Sequence, residues 1–130
     1  MQFKTLGLAS ALALALAVPA GAHHSHGNYD LTKWTFLEGV VTQVVLVVPH
    51  SIIYLEVKDE KGQATTWSME ATGARQLFDK GVKREDVKVG DRLKVRCFQL
   101  RDGSPGCLLG FVTPQHGDPA RGHGIERDWT

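Results

Sequence analysis

The sequence lacks an excess of charge of either sign. Lys and Arg number 15, and Asp and Glu number 14. Taking away Lys4, which precedes an apolar N-terminal run, leaves 14 of each and a formal net charge of zero. Because binding to nucleic acid normally needs a basic surface, we expect no nucleic-acid partner.

Sequence motifs of common enzymes and cofactors are also missing. The chain has no glycine-rich loop that would cradle a phosphate, no hydrolase elbow with Ser, His and Asp partners, and no haem-attachment motif. We therefore predict no catalytic residue and a protein that is not an enzyme.

Only two cysteines are present, Cys97 and Cys107, and they lack the CxxC spacing of a redox motif. A turn-rich segment, residues 101–106, separates them, and each continues the apolar alternation of its neighbours. A hairpin would bring them together, and in an oxidising compartment pairing is the default. We predict a structural disulfide; two buried free thiols are the alternative.

Long apolar runs are scarce, and the one at Leu6–Val18 is too short to cross roughly 30 Å of hydrocarbon as a helix. Lys4 precedes it, and the small residues Ala20-Gly21-Ala22 follow it. This pattern predicts a signal peptide over residues 1–22 that is cut after Ala22. The mature protein would be periplasmic or secreted, with no membrane span; a retained N-terminal anchor is the alternative.

The remaining chain suits one small β domain. Residues 23–33 are polar and His-rich, which is typical of a tail, and residues 114–130 have no apolar period, which predicts disorder. Between them, the apolar and alternating runs predict five strands, at 34–47, 52–58, 64–70, 92–100 and 107–113.

One short helix is predicted between the third and fourth strands, because Ala74, Leu77 and Phe78 have helical spacing. Three strands, a helix and two strands is the order of a mainly β, five-stranded OB-like barrel, which we place at residues 34–113. An SH3-like barrel and a small open α+β sheet are the alternatives.

Four short motifs occur in order along the chain: Ala22-His23-His24-Ser25 with Tyr29-Asp30, then Val48-Pro49-His50, Trp67-Ser68-Met69-Glu70, and the turn Leu100–Gly106. In this order they resemble a family of small secreted bacterial proteins classed as a domain of unknown function. The resemblance covers about residues 20–113. It departs at Val48, where the family has Asn. The resemblance implies an exported OB-like domain and supplies no activity.

The histidines at the predicted mature N-terminus are candidate metal ligands. A cut after Ala22 would give His23 a free α-amine beside its imidazole, and His24 in second position could bind through that amine, the intervening amide and its own imidazole. Such nitrogen-rich sets suit copper(II), and His26 and His50 could complete the set. The alternative is a His-rich tail that binds metal loosely and without function.

A second candidate site is the rim of the barrel near His50. Antiparallel pairing should bring Glu70 close to His50, and the turn with Arg101 and Asp102 should reach the same rim. Glu70 could bind metal or orient the His50 ring. The alternative is that these side chains only cap backbone groups. The tail 23–33 extends roughly 36 Å at most, long enough to reach this rim.

We therefore expect an exported OB-like binding module, with copper binding as the specific hypothesis. The alternative is a non-metal interaction module or an accessory subunit of a periplasmic redox system. Its partner would be a periplasmic protein or a small ligand. A third hypothesis, an acid–base pair of His50 and Glu70, predicts a deep pocket at the rim.

Overall fold

The computed structural model describes residues 26–130, so the predicted signal peptide and the candidate ligands His23 and His24 lie outside the described residues. In chain order the elements are β1 (Thr35–Val45), β2 (Ser51–Lys58), β3 (Ala64–Ala71), α1 (Ala74–Asp79), β4 (Arg92–Gln99), β5 (Gly106–Pro114) and β6 (Arg127–Asp128). Short 3₁₀ turns occur at His26–Asn28, Arg84–Asp86 and Pro119–Arg121. Among residues 26–130, no helix is long and apolar enough to span a membrane.

The first five strands close into a barrel. β1 pairs with β2 on one side and with β4 on the other, β2 pairs with β3, and β4 pairs with β5, all antiparallel. A parallel contact between β3 and β5 completes the circuit. The predicted mainly β, five-stranded barrel with one short helix between β3 and β4 is therefore confirmed.

The long strand β1 serves both halves of this barrel. Residues 35–40 pair with β4, whereas residues 40–45 pair with β2. Gly39 lies at the change of partner, and a Cβ atom there would lie only 2.3 Å from the carbonyl oxygen of Glu56. A residue without a side chain is needed because the two backbones approach so closely.

The core is formed by the inward face of each strand. Alternation puts Ile53 and Leu55 of β2, Met69 of β3 and Leu93 of β4 inside, each with at most 1% of its surface exposed. Leu77 of α1 is equally buried and joins the same cluster. The helix thus supplies Leu77 to the barrel, and Ala74 is also buried, whereas Phe78 of the same predicted stripe is 39% exposed.

The predicted disulfide is present between Cys97 of β4 and Cys107 of β5. The Cα atoms are 5.6 Å apart, and both cysteines are completely buried. Because the bond links two adjacent strands inside the core, its role is structural. From the short loop that it closes, we expect it to contribute about 3 kcal/mol to stability.

Residues 114–130 differ from the predicted disordered tail. β6 pairs with β5 through Phe111–Asp128 and Val112–Arg127. Next to it, the N–H of Trp129 donates to the carbonyl of Gly110 at 2.9 Å, and its carbonyl accepts from the N–H of Thr72 at 3.1 Å. Only 2% of Trp129 is exposed. This segment fills the gap where β3 and β5 diverge beyond their parallel contact.

A salt bridge holds the same segment to the loop before β4. The guanidinium of Arg121 donates to both carboxylate oxygens of Asp91, and its Nε donates to the carbonyl of Glu85 at 2.7 Å. Burial acts to raise the pKa of Asp91, but the bonds from Arg121 and from the N–H of Lys88 outweigh it. The pKa of Asp91 therefore lies below its ordinary value.

Replacing Trp129 by alanine tests whether this segment belongs to the folded core. Trp129→Ala removes a buried aromatic side chain, so we expect the free energy of unfolding to fall by about 3–5 kcal/mol. Urea unfolding followed by circular dichroism measures the loss. Ile125→Ala is the matched control, because Ile125 lies in the same segment and is 53% exposed; its effect should be within about 0.5 kcal/mol. Equal effects would contradict the packing of Trp129.

The salt bridge of Asp91 predicts a pH dependence of stability. A carboxyl whose pKa is lower in the folded state stabilises the protein above its unfolded pKa of about 4, and this contribution is lost as the pH falls through the folded pKa. Asp91→Asn should therefore cost about 2 kcal/mol at pH 7. Urea unfolding of both proteins from pH 7 to pH 2 should show this difference shrinking below about pH 4. A difference that is constant over this range would rule out the pair as its source.

Candidate functional site

A cavity of about 220 Å³ opens beside the parallel contact of β3 and β5. Its walls are mostly apolar, and polar side chains lie among its lining residues. The lining residues are His26, His50, Ala71, Thr72, Phe98, Leu108, Leu109 and Thr130. A partly enclosed apolar cavity with a few polar groups is the usual form of a small-ligand site.

His50 and Glu70 meet at this cavity. His50 immediately precedes β2, and Glu70 lies near the end of β3, where it pairs with Ile52. Nδ1 of His50 lies 3.2 Å from Oε1 of Glu70, and both side chains are half-buried. The antiparallel pairing of β2 and β3 thus brings the two residues together as the sequence predicts.

Tyr29 is the third member of this network. Its hydroxyl donates to Oε2 of Glu70 at 2.7 Å, so the two carboxylate oxygens have different partners. Burial raises the pKa of Tyr29 well above its ordinary value, and the bond to Glu70 and its negative charge add to this effect. Tyr29 therefore remains a donor at any physiological pH and fixes the Glu70 carboxylate.

Arg101 holds the N-terminal segment against the barrel. Its Nε donates to the carbonyls of Gly27 at 2.9 Å and of Tyr29 at 3.1 Å, and its backbone N–H donates to Asn28 at 2.8 Å. Tyr29 also forms a β-bridge with Leu100. The sequence pattern predicts a loose tail here, but residues 26–30 pack on the rim because the β4–β5 turn binds their backbone.

Asp102, the other rim residue predicted from the turn, does not join the network. Its Oδ1 accepts from the N–H of Ser104 at 2.9 Å and also from the Ser104 hydroxyl. These bonds lower its pKa. Asp102 therefore shapes its own turn, which is the alternative role that the sequence left open.

Two of the four predicted metal ligands meet at the cavity. His26 and His50 both line it, although they come from separate segments of the chain. His23 and His24 lie outside the described residues. Within residues 26–130, no group of three His, Cys, Asp or Glu side chains is placed to hold a metal ion.

Sequence reasoning missed the role of Tyr29 and the apolar cavity. The only sequence signal for Tyr29 was its place in the first of the four motifs. One residue of each motif contributes here, since Tyr29, His50 and Glu70 form one network and Arg101 holds Tyr29 in place. A cavity at this rim fits both ligand binding and acid–base chemistry, so the absence of enzymatic activity stays a prediction.

The fold and the cavity define a small closed β-barrel with a candidate ligand site at the contact of β3 and β5. The chain belongs to the family of unknown function DUF6152, whose sequence profile matches residues 11–109. The matched span includes Tyr29, His50, Glu70 and Arg101, whereas Trp129 lies beyond it. No curated protein and no solved structure matches the chain.

Removing the Tyr29 hydroxyl tests the network. Tyr29→Phe leaves one oxygen of a half-buried carboxylate without its donor, so we expect a loss of about 1–2 kcal/mol in the free energy of unfolding. Urea unfolding gives the value. The matched control is Tyr54→Phe, which removes the hydroxyl of the other tyrosine, on β2 and outside the network. A loss no larger than that of the control would show that the bond contributes nothing.

Proposed function

We propose that the protein is an exported binding module that binds one copper(II) ion at the mouth of the cavity. The proposed ligands are the α-amine and ring of His23 together with His24, His26 and His50. One observation carries this proposal: His26 and His50, which are 24 residues apart in sequence, line the same cavity.

The other proposed donors, His23 and His24, come shortly before His26 in the sequence. His23 is three residues away, so its amine lies within roughly 11 Å of the His26 backbone in any conformation. Arg101 donates to the carbonyls of Gly27 and Tyr29, so the chain that follows His26 is held against the barrel. Amine and imidazole nitrogens form the tetragonal set that copper(II) prefers. Because the amine must lose its proton, and a free α-amine has a pKa near 8, binding should strengthen with rising pH.

The contact of His50 with Glu70 also supports the proposal. Metal-binding histidines usually donate their other ring N–H to a carboxylate, which sets the tautomer and the ring orientation. The 3.2 Å distance between Nδ1 of His50 and Oε1 of Glu70 supports this arrangement, and the Tyr29 hydroxyl donates to the other oxygen of Glu70. His50 would then be a preoriented ligand rather than a mobile one.

The test compares two forms of the protein at the N-terminus. One begins at His23, and the other carries an extra glycine before it, which moves the amine away from the ring. Isothermal titration should show one copper(II) bound at least about tenfold more tightly by the first form. Equal affinity would rule out the amine chelate.

A second comparison tests the role of His50. His50→Ala should weaken copper binding about tenfold or more, whereas His123→Asn, in the C-terminal segment, should leave it unchanged. Electron paramagnetic resonance reports the number of nitrogen ligands in each variant. Intact mass and metal analysis of protein purified from the periplasm test the cut after Ala22 and export together.

An interaction module without metal is the second candidate, because aromatic side chains are exposed on the outer surface of the sheet. Phe36 of β1 is 73% exposed, and Trp34, two residues earlier in the chain, is 37% exposed. Exposed apolar surface of this kind is common where proteins bind partners. A stoichiometric partner in pull-down, with no metal in the native protein, would favour this candidate over copper binding.

A further inference from the structure

We propose that the cavity itself binds a small uncharged aromatic molecule that carries one hydroxyl group, a phenol. This inference goes beyond copper binding, because it concerns the apolar interior of the cavity and needs no metal ion. It rests on the size of the cavity, the nature of its walls and the position of its polar groups.

The size of the cavity limits the ligand to about one ring. Its volume is about 220 Å³. An apolar protein cavity of about 150 Å³ binds benzene, whereas drug-sized ligands occupy sites of roughly 300–1,000 Å³. A single six-membered ring with one or two small substituents fits between these limits.

The walls suit a flat apolar ring. Phe98, Leu108 and Leu109 line the cavity, and Ala71 adds a methyl group. Phe98 stacks on Trp34 with the ring centroids 4.1 Å apart, which restrains the orientation of the Phe98 ring. Leu109 and Ala71 are at most 2% exposed and belong to the packed hydrophobic core. The apolar part of the site is therefore largely formed before a ligand arrives, which reduces the entropy lost on binding.

The polar groups favour a neutral hydroxyl. A charged group of either sign on the ligand would have to leave water for mostly apolar walls, which is costly. A hydroxyl can both donate and accept, so it matches a histidine ring or the hydroxyl of Thr72, which also lines the cavity.

The test is a titration of the protein, with the predicted signal peptide removed, in the presence of a metal chelator. Phenol is the probe, toluene lacks its hydroxyl, and benzoate carries a negative charge. Two-dimensional ¹H–¹⁵N NMR should show saturable shifts centred on Ala71, Leu108 and Leu109 with phenol. Toluene should bind at least about fivefold more weakly than phenol, and benzoate at least about tenfold more weakly.

Two outcomes would contradict the proposal. If phenol gives no saturable shifts, or shifts centred elsewhere, the cavity is not its binding site. If benzoate binds as tightly as phenol or more tightly, the assigned polarity of the site is wrong.

Two variants distinguish the cavity from the rest of the surface. Leu108→Trp should fill the cavity and weaken phenol binding at least about tenfold. Val89→Trp is the control, since Val89 is 67% exposed and does not line the cavity. If Leu108→Trp does not fold, Phe98→Leu keeps an apolar side chain but removes the aromatic wall, and it should weaken binding about fivefold. Unchanged binding in the folded cavity variant would refute the site. Because no metal is present, failure of copper binding leaves this result unaffected.

Discussion

The parallel contact between β3 and β5 closes the barrel, and the candidate site lies along it. Three residue pairs form this contact, and one of them puts Glu70 beside Leu108. Glu70 of the polar network lies on β3, and Leu108 and Leu109 of the apolar wall lie on β5. Where the two strands diverge, the backbone of Trp129 bonds to Gly110 of β5 and to Thr72, which follows β3. A barrel open at this seam would have neither the cavity nor its polar groups.

Much of the barrel could be predicted from the sequence because its strands alternate strongly. The run predicted at 52–58 corresponds to β2 at Ser51–Lys58, and the run at 107–113 corresponds to β5 at Gly106–Pro114. The register of Cys97 and Cys107 with their apolar neighbours also indicated the disulfide correctly. The strands depend on local periodicity and the disulfide on a single hairpin, so a short segment of sequence is enough to predict each of them.

The missing parts depend on contacts between distant residues. The bond from Tyr29 to Glu70 spans 41 positions, and no local pattern indicates that a polar tail will cross the rim at that point. The order of the C-terminal segment differs from its predicted disorder for the same reason. Its order comes from Trp129 packing into the barrel and from Arg121 bonding to Asp91, 30 positions away. A single tryptophan and a single arginine do not make a periodic apolar pattern. The polar residues around them are therefore typical of a disordered segment.

The position of His26 at the cavity has a practical consequence for anyone who labels this protein. Anything fused directly before His26 begins at the mouth of the cavity, and a polyhistidine tag there would compete with the chain's own histidines for metal. The exposed turn at Asp59–Gly62 follows β2 at the end opposite His50. It lies roughly 25 Å along the strand from the cavity. A dye or an affinity handle in that turn would leave the chemistry of the rim undisturbed.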